Sequence, residues 1–150
     1  MAVDIQLLKK LREQTSISVS ECRTALEETN GDYDKALKLL NEKAAEKAAK
    51  KADRETGEGL IEAYIHGNGK VGVLVQMLCE TDFVARTDEF KHLAHEVAMQ
   101  VAAMQPKDVE ELLSQEYIKD PSKTIEQMVK EAIQKTGENI KIKRFERFAF

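Results

Sequence analysis

The chain contains no tryptophan, and only 3 tyrosines and 5 phenylalanines stand among its 150 residues. A platform on which single-stranded bases could stack has little to be built from. Basic charge is short as well: 23 Lys and Arg against 27 Asp and Glu give a formal net charge of −4, whereas a general nucleic-acid binder carries a basic excess. The 7 glycines are scattered through turns and helix ends, without the run from strand into helix that cradles a phosphate. The two cysteines, Cys22 and Cys79, have neither a CxxC spacing nor a framework count, so they read as reduced thiols, Cys22 as a small core residue. No apolar run approaches the roughly 20 residues that span a bilayer. The N-terminal stretch "MAVDIQLLKKLREQ" carries charges every few residues, unlike a signal peptide. The expectation is a cytoplasmic protein with no membrane contact.

What remains is 42% hydrophobic and 33% charged, enough for one ordinary globular domain or a small module joined to a core. The charge is uneven. Residues 1–55 hold 11 basic and 11 acidic groups, residues 56–138 hold 8 and 15, and residues 139–150 hold 4 and 1.

Three helices are legible at the start. "VDIQLLKKLREQ" repeats Ile5, Leu8 and Leu11 at helical spacing behind Asp4 as a cap. In "SVSECRTALEETNG", Ser18 and Glu21 have the spacing of a capping box, and Asn30-Gly31 supplies a left-handed stop. A third begins at Asp32 with Tyr33, Ala36, Leu37 and Leu40 on one face. Beyond Leu40 it turns into an Ala, Lys and Glu tract with little to bury, read as a solvated helical connector whose Lys47, Lys50, Lys51 and Arg54 face water. The expected organisation is a three-helix bundle over 1–41, a connector over 42–55 and an α+β core over 56–150.

The core opens with a change of period. "GLIEAYIH" and "VGVLVQMLC" flank "GNG", which reads as a β-hairpin. "TDEFKHLAHEVAMQVAAMQP" returns to helical spacing, with Thr87 as cap and a stripe of Phe90, Leu93, Ala94, Val97, Ala98 and Val101. "PKDVEELLSQEYIKD" holds a short helix, and "PSKTIEQMVKEAIQKTG" a longer one with Ser122 as its expected cap and Gly137 as its stop. "ENIKIKRFERF" is expected to lie as a third strand against the hairpin. The fold class is therefore α+β, a helical bundle followed by a three-stranded antiparallel sheet packed with helices.

Nothing in the chain makes an active site. His92 and His95 lie about one helical turn apart beside Glu96, but no second cluster completes a metal set, and they read as solvated or hydrogen-bonded side chains. Glu80 and Asp82 are alternating carboxylates without a pocket-forming partner. No nucleophile carries a triad signature. No cofactor, metal site or covalent chemistry is expected, which leaves contact with another protein.

Three segments resemble the elongation factor Ts family: "LREQTSISVSECRTALEETNGDYDKALKLL", "ETDFVAR" within "CETDFVARTDEF", and "TGENIKIKRF". The resemblance implies an N-terminal bundle related to ubiquitin-associated domains and a guanine nucleotide exchange factor for elongation factor Tu. It implies partner contact through Leu11, Arg12 and Val19 in the bundle and through Thr81, Asp82, Phe83 and Val84 in the signature. Where the family usually has a Thr-Gly-Ala-Gly-Met type loop, this chain has "TSISV", Thr15 to Val19. The chain matches a short form, which leaves open a homodimer in which a second copy supplies part of the contact area.

Phe83 separates two readings. By residue type its ring belongs in a core at a strand-to-helix junction; by the resemblance, Phe83 and Asp82 project and insert near the partner's magnesium and nucleotide site. Two rival functions remain beside exchange. One is a ubiquitin-associated-type binding module without exchange activity. The other is an RNA-associated protein using Lys47–Arg54 and Lys141–Arg147, against which the net acidity argues.

Overall fold

The computed structural model describes residues 2–150. Helices α1 (Ile5–Thr15), α2 (Val19–Glu28) and α3 (Tyr33–Lys51) form the N-terminal bundle. Each starts where a short polar side chain takes up a free backbone N–H: Asp4 accepts from Gln6, Ser18 from Glu21 and Asp32 from Lys35. Leu8, Leu11, Ile17, Cys22, Ala25, Leu26, Ala36 and Leu40 close into one buried cluster. Asn30 and Gly31 adopt the expected left-handed conformation after α2, with φ of 55° and 79°. The capping box is half formed. Ser18 Oγ accepts the Glu21 N–H at 3.3 Å, but the Glu21 carboxylate takes the Ser18 hydroxyl at 2.7 Å and reaches away to Lys47.

The Ala-rich end of α3 departs from the expectation of a connector with little to bury. Ala44 and Ala48 are buried, and α3 packs along a later helix. Small side chains here allow close helix approach, so the tract has one packed face and one charged, wet face.

Strands β1 (Glu58–His66) and β2 (Val71–Cys79) pair antiparallel from Glu58↔Cys79 to His66↔Val71, and β5 (Lys141–Ala149) adds antiparallel to the other side of β2. The sheet order is β1-β2-β5. A register shift at Gln76/Met77 skips Lys143, so Lys143 and the adjacent Arg144 both stay exposed while Ile142 remains buried. One sheet face is covered by α5 (Asp88–Met104), through Phe90, Leu93, Ala94, Val97, Ala98 and Val101 against Val73, Val75 and Met77. The opposite face leaves Ile61, Ile65, Leu74 and Phe148 exposed.

Between α5 and β5 lie α6 (Val109–Ser114), a two-stranded hairpin β3 (Glu116–Tyr117) and β4 (Asp120–Thr124), and α7 (Ile125–Thr136). The small hairpin was not anticipated. It also moves the start of α7: Ser122 lies inside β4, and Thr124 is the cap, in a full capping box with Gln127. Gly137 ends α7 at φ 75°, as expected.

Candidate functional site

The segment after β2 turns sharply. Thr81 caps a four-residue helix, α4 (Asp82–Ala85), and Thr87 caps α5 immediately afterwards. At about 100° per residue, a helix that turns two consecutive side chains inward must turn the one before them outward. Val84 and Ala85 are the inward pair, 9% and 7% exposed, and they anchor the turn to the core. Phe83 is therefore 87% exposed at the outer corner of the elbow. The general preference of phenylalanine for a core does not hold at this position.

The elbow is held from behind by the turn that joins α7 to β5. Glu138 Oε1 accepts the amides of Thr81 at 2.9 Å and Glu80 at 3.2 Å, and its Oε2 accepts the Thr81 hydroxyl at 2.6 Å. In the reverse direction, Glu80 Oε1 accepts the Asn139 amide at 2.7 Å. Thr81 Oγ1 also accepts the Val84 N–H at 3.3 Å, and the Thr87 hydroxyl donates to the Val84 carbonyl at 2.8 Å. Sequence reasoning missed Glu138 and Asn139 as parts of this site; the only signal was that "TGEN" and "ETDF" both stood in segments resembling one family.

Asp82 is exposed and paired with Arg86 one turn on. Both side chains are more than half exposed, so the pair is worth less than about 1 kcal/mol and opens readily to another partner. Beneath the elbow, Cys79 is fully buried and donates to the Thr81 carbonyl at 3.2 Å. Burial, with the Glu138 carboxylate adding to it, pushes the Cys79 thiol up to about 11.

The bundle residues separate. Arg12 is exposed and Val19 is 42% exposed, both available to a partner. Leu11 is 0% exposed among the other bundle residues, so its side chain holds α1 in place and presents no surface. Between them, Ser16 ends α1 in the left-handed conformation at φ 57°, its N–H returning to the Arg12 carbonyl at 2.8 Å.

Elsewhere the polar groups are structural. His92 is mostly exposed, 3.9 Å from Glu96, and His95 lies 3.4 Å from Glu62. Glu96 is buried and accepts from Tyr117 and from Lys119, the latter at 3.0 Å, which ties the β3–β4 hairpin to α5. Gln100 adds bonds to the Glu116 carbonyl at 3.0 Å and from the Ile118 amide at 3.1 Å. A groove of about 480 Å³ is floored by Ala48, Val129, Ile133 and Ile142, and of the charged residues at its edge Glu126 and Lys130 are paired with each other at 3.3 Å. No described helix is long and apolar enough to cross a membrane.

The family model described as Elongation factor TS matches residues 80–150, beginning at the first residue of the elbow. Elongation factor Ts of Thermotoga neapolitana is 44% identical over 191 aligned positions, covering 99% of this chain and 97% of the relative. The chain belongs to the elongation factor Ts family. The Thermotoga maritima member is 42% identical with 99% and 96% coverage, and that of Caldanaerobacter subterraneus 40% identical with 97% and 96%. The 191 aligned positions exceed this chain's 150 residues by 41, so these elongation factor Ts relatives carry segments without a counterpart here. Membership places the chain among translation elongation factors.

Proposed function

We propose that the chain is a guanine nucleotide exchange factor that binds GDP-loaded elongation factor Tu, loosens its magnesium and GDP site, and so speeds GDP release and replacement by GTP. The observation that carries this reading is Phe83: a large apolar ring 87% exposed on an elbow anchored by buried Val84 and Ala85 and tied by the hydrogen bonds of Thr81. A ring held out in water before any partner arrives is preorganised for insertion, because little further ordering is needed on binding. Burying such an anchor contributes a few kcal/mol, on the order of 2 or more at a hot spot.

The mechanism is coupling between two binding events and involves no covalent step. If Phe83 enters between helices of the partner and Asp82 is drawn from Arg86 toward the magnesium surroundings, the inserted state and the GDP-bound state disfavour each other. By linkage each ligand weakens the other by the same factor. About 1.4 kcal/mol of coupling corresponds to tenfold in affinity, so a large effect needs several contacts acting together. Arg12 and Val19 supply a grip on the GTPase domain, Leu11 fixes the helix that carries Arg12, and Thr81 and Val84 hold the elbow that carries Asp82 and Phe83. Division of the chain into a bundle (1–41), a linking helical stretch (42–55) and a core (56–150) then corresponds to grip, spacer and wedge.

The working form in this reading is a homodimer through the open sheet face. Ile61, Ile65, Leu74 and Phe148 make that face apolar, and Leu74 pairs in register with Glu146 while Gln76 pairs with Arg144. Arg144 and Glu146 stand two residues apart on that face, so it carries both signs of charge, as a self-complementary closed pair requires. Sedimentation should give a dimer that Leu74→Glu converts to a monomer; a wild-type monomer at all concentrations would remove this part.

The test of exchange is release of a fluorescent GDP analogue from elongation factor Tu, chased with unlabelled nucleotide. Acceleration that grows and saturates with the chain supports the reading. Binding to elongation factor Tu without acceleration would leave the ubiquitin-associated-type binding module.

A further inference from the structure

Three segments far apart in sequence meet behind Phe83. The exit of α3 is held by the buried Asn139, whose Nδ2 donates to the Ala52 carbonyl at 3.3 Å and the Arg54 carbonyl at 2.9 Å. Arg54 in turn lies 3.5 Å from Glu80 and donates to the Gly137 carbonyl at 3.4 Å. Glu138 closes the knot with its three bonds to Glu80 and Thr81. The helix leaving the bundle and the elbow carrying the ring are thus tied to the same two adjacent residues.

We propose that Glu138 is a positioning residue for exchange: its carboxylate fixes the elbow on the α7–β5 turn, and through Asn139 fixes Phe83 relative to the bundle. Glu138 acts through Glu80 and Thr81, three and two residues before Phe83. Its two oxygens satisfy three donors on the adjacent residues Glu80 and Thr81, 58 and 57 positions away along the chain. A charged acceptor holding several N–H and O–H groups is among the stronger of hydrogen-bonding arrangements. Removing it frees the Glu80 and Thr81 backbone to turn, and the ring then samples several directions, of which few suit insertion. The inference rests on the proposal that Phe83 drives exchange.

The test is a double-mutant cycle on the GDP-release rate at saturating factor, using Glu138→Ala, Phe83→Ala and both together, with a thermal unfolding midpoint for each. Glu138→Ala is expected to lower the saturating rate by about tenfold in the wild-type background and by less than about twofold when Phe83 is already alanine, the non-additivity of two residues acting as one unit. Glu138→Gln keeps an oxygen for the Thr81 amide and is expected to recover most of the rate. If Glu138→Ala does not fold, Glu138→Gln carries the cycle, with a smaller loss that again vanishes beside Phe83→Ala. Equal losses in both backgrounds, or a lower midpoint with an unchanged saturating rate, would make Glu138 merely structural and overturn the inference while leaving exchange by Phe83 intact. A Phe83→Ala chain that exchanges normally would overturn both.

Discussion

Lys47 on α3 donates to Glu21 on α2 at 2.6 Å, and Gln134 on α7 donates to the same oxygen at 3.3 Å. One carboxylate at the start of α2 thereby joins the bundle to the core. The Lys47 bond, with the Ser18 hydroxyl next, holds Glu21 below the usual carboxylate range. Both partners of the ion pair are more than 40% exposed, so water and salt screen most of its Coulomb energy. Glu21→Gln should cost no more than about 1 kcal/mol in urea unfolding, and the difference should shrink as salt is raised. Because the folded value is lowered, this contribution is present above the ordinary carboxylate range and fades as pH falls through it.

Ser16 is a second point of leverage. A non-glycine residue in the left-handed region costs about 1 kcal/mol, and the Ser16 side chain is exposed. Ser16→Gly should raise stability by roughly 0.5 kcal/mol, part of the gain being offset by the looser unfolded chain. A lower unfolding midpoint would show that Ser16 is not strained.

Acid should release the small hairpin before the rest. Burial alone would raise Glu96, but the bonds from Tyr117 and Lys119 outweigh it and hold the carboxyl below its ordinary value of 4.5. The sign follows: a lowered folded value gives stability that is complete above the unfolded value and lost as pH drops through the folded one. The protection of the Ile118 amide, which bonds to Gln100 at 3.1 Å, measured relative to its intrinsic exchange rate, should fall once pH drops below the ordinary carboxylate range. Glu96→Gln should exchange faster at neutral pH and lose that pH dependence.

The thiols should be inert while the chain is folded. Cys22 and Cys79 are both 0% exposed, and burial raises both. Since the thiolate is the reactive form, labelling by a disulfide reagent at pH 8 should follow unfolding and proceed at the rate of global opening. Rapid labelling of Cys79 alone would mean that the elbow opens independently.

Much of this architecture was legible because its signals are local. Asp4, Ser18 and Thr87 cap the helices they were expected to cap, Asp32 caps the helix that was expected to begin at it, and Gly137 stops α7. Ser122 was misplaced as a cap because β3 and β4 are only 2 and 5 residues long, too short for alternation to declare them beside the Thr124 cap. The buried side of α3 escaped notice because alanine carries little apolar signal; only the partner helix shows that Ala44 and Ala48 are covered. At the elbow, a helix of 4 residues has no readable period, so periodicity could not decide whether Phe83 pointed in or out. The resemblance implied that it projects, but the means of holding it there, Glu138 against Thr81, joins segments whose pairing no local pattern encodes.

The proposed exchange activity requires Phe83 to be an anchor for a partner and not part of this chain's own core. The most direct measurement pairs the thermal midpoint of Phe83→Ala with its effect on GDP release from elongation factor Tu. At 87% exposure the ring contributes little to the fold, so the change in stability should stay within about 0.5 kcal/mol, while acceleration of release falls at least about tenfold. A chain that loses stability in step with activity, or that exchanges GDP as fast without the ring as with it, would contradict the account.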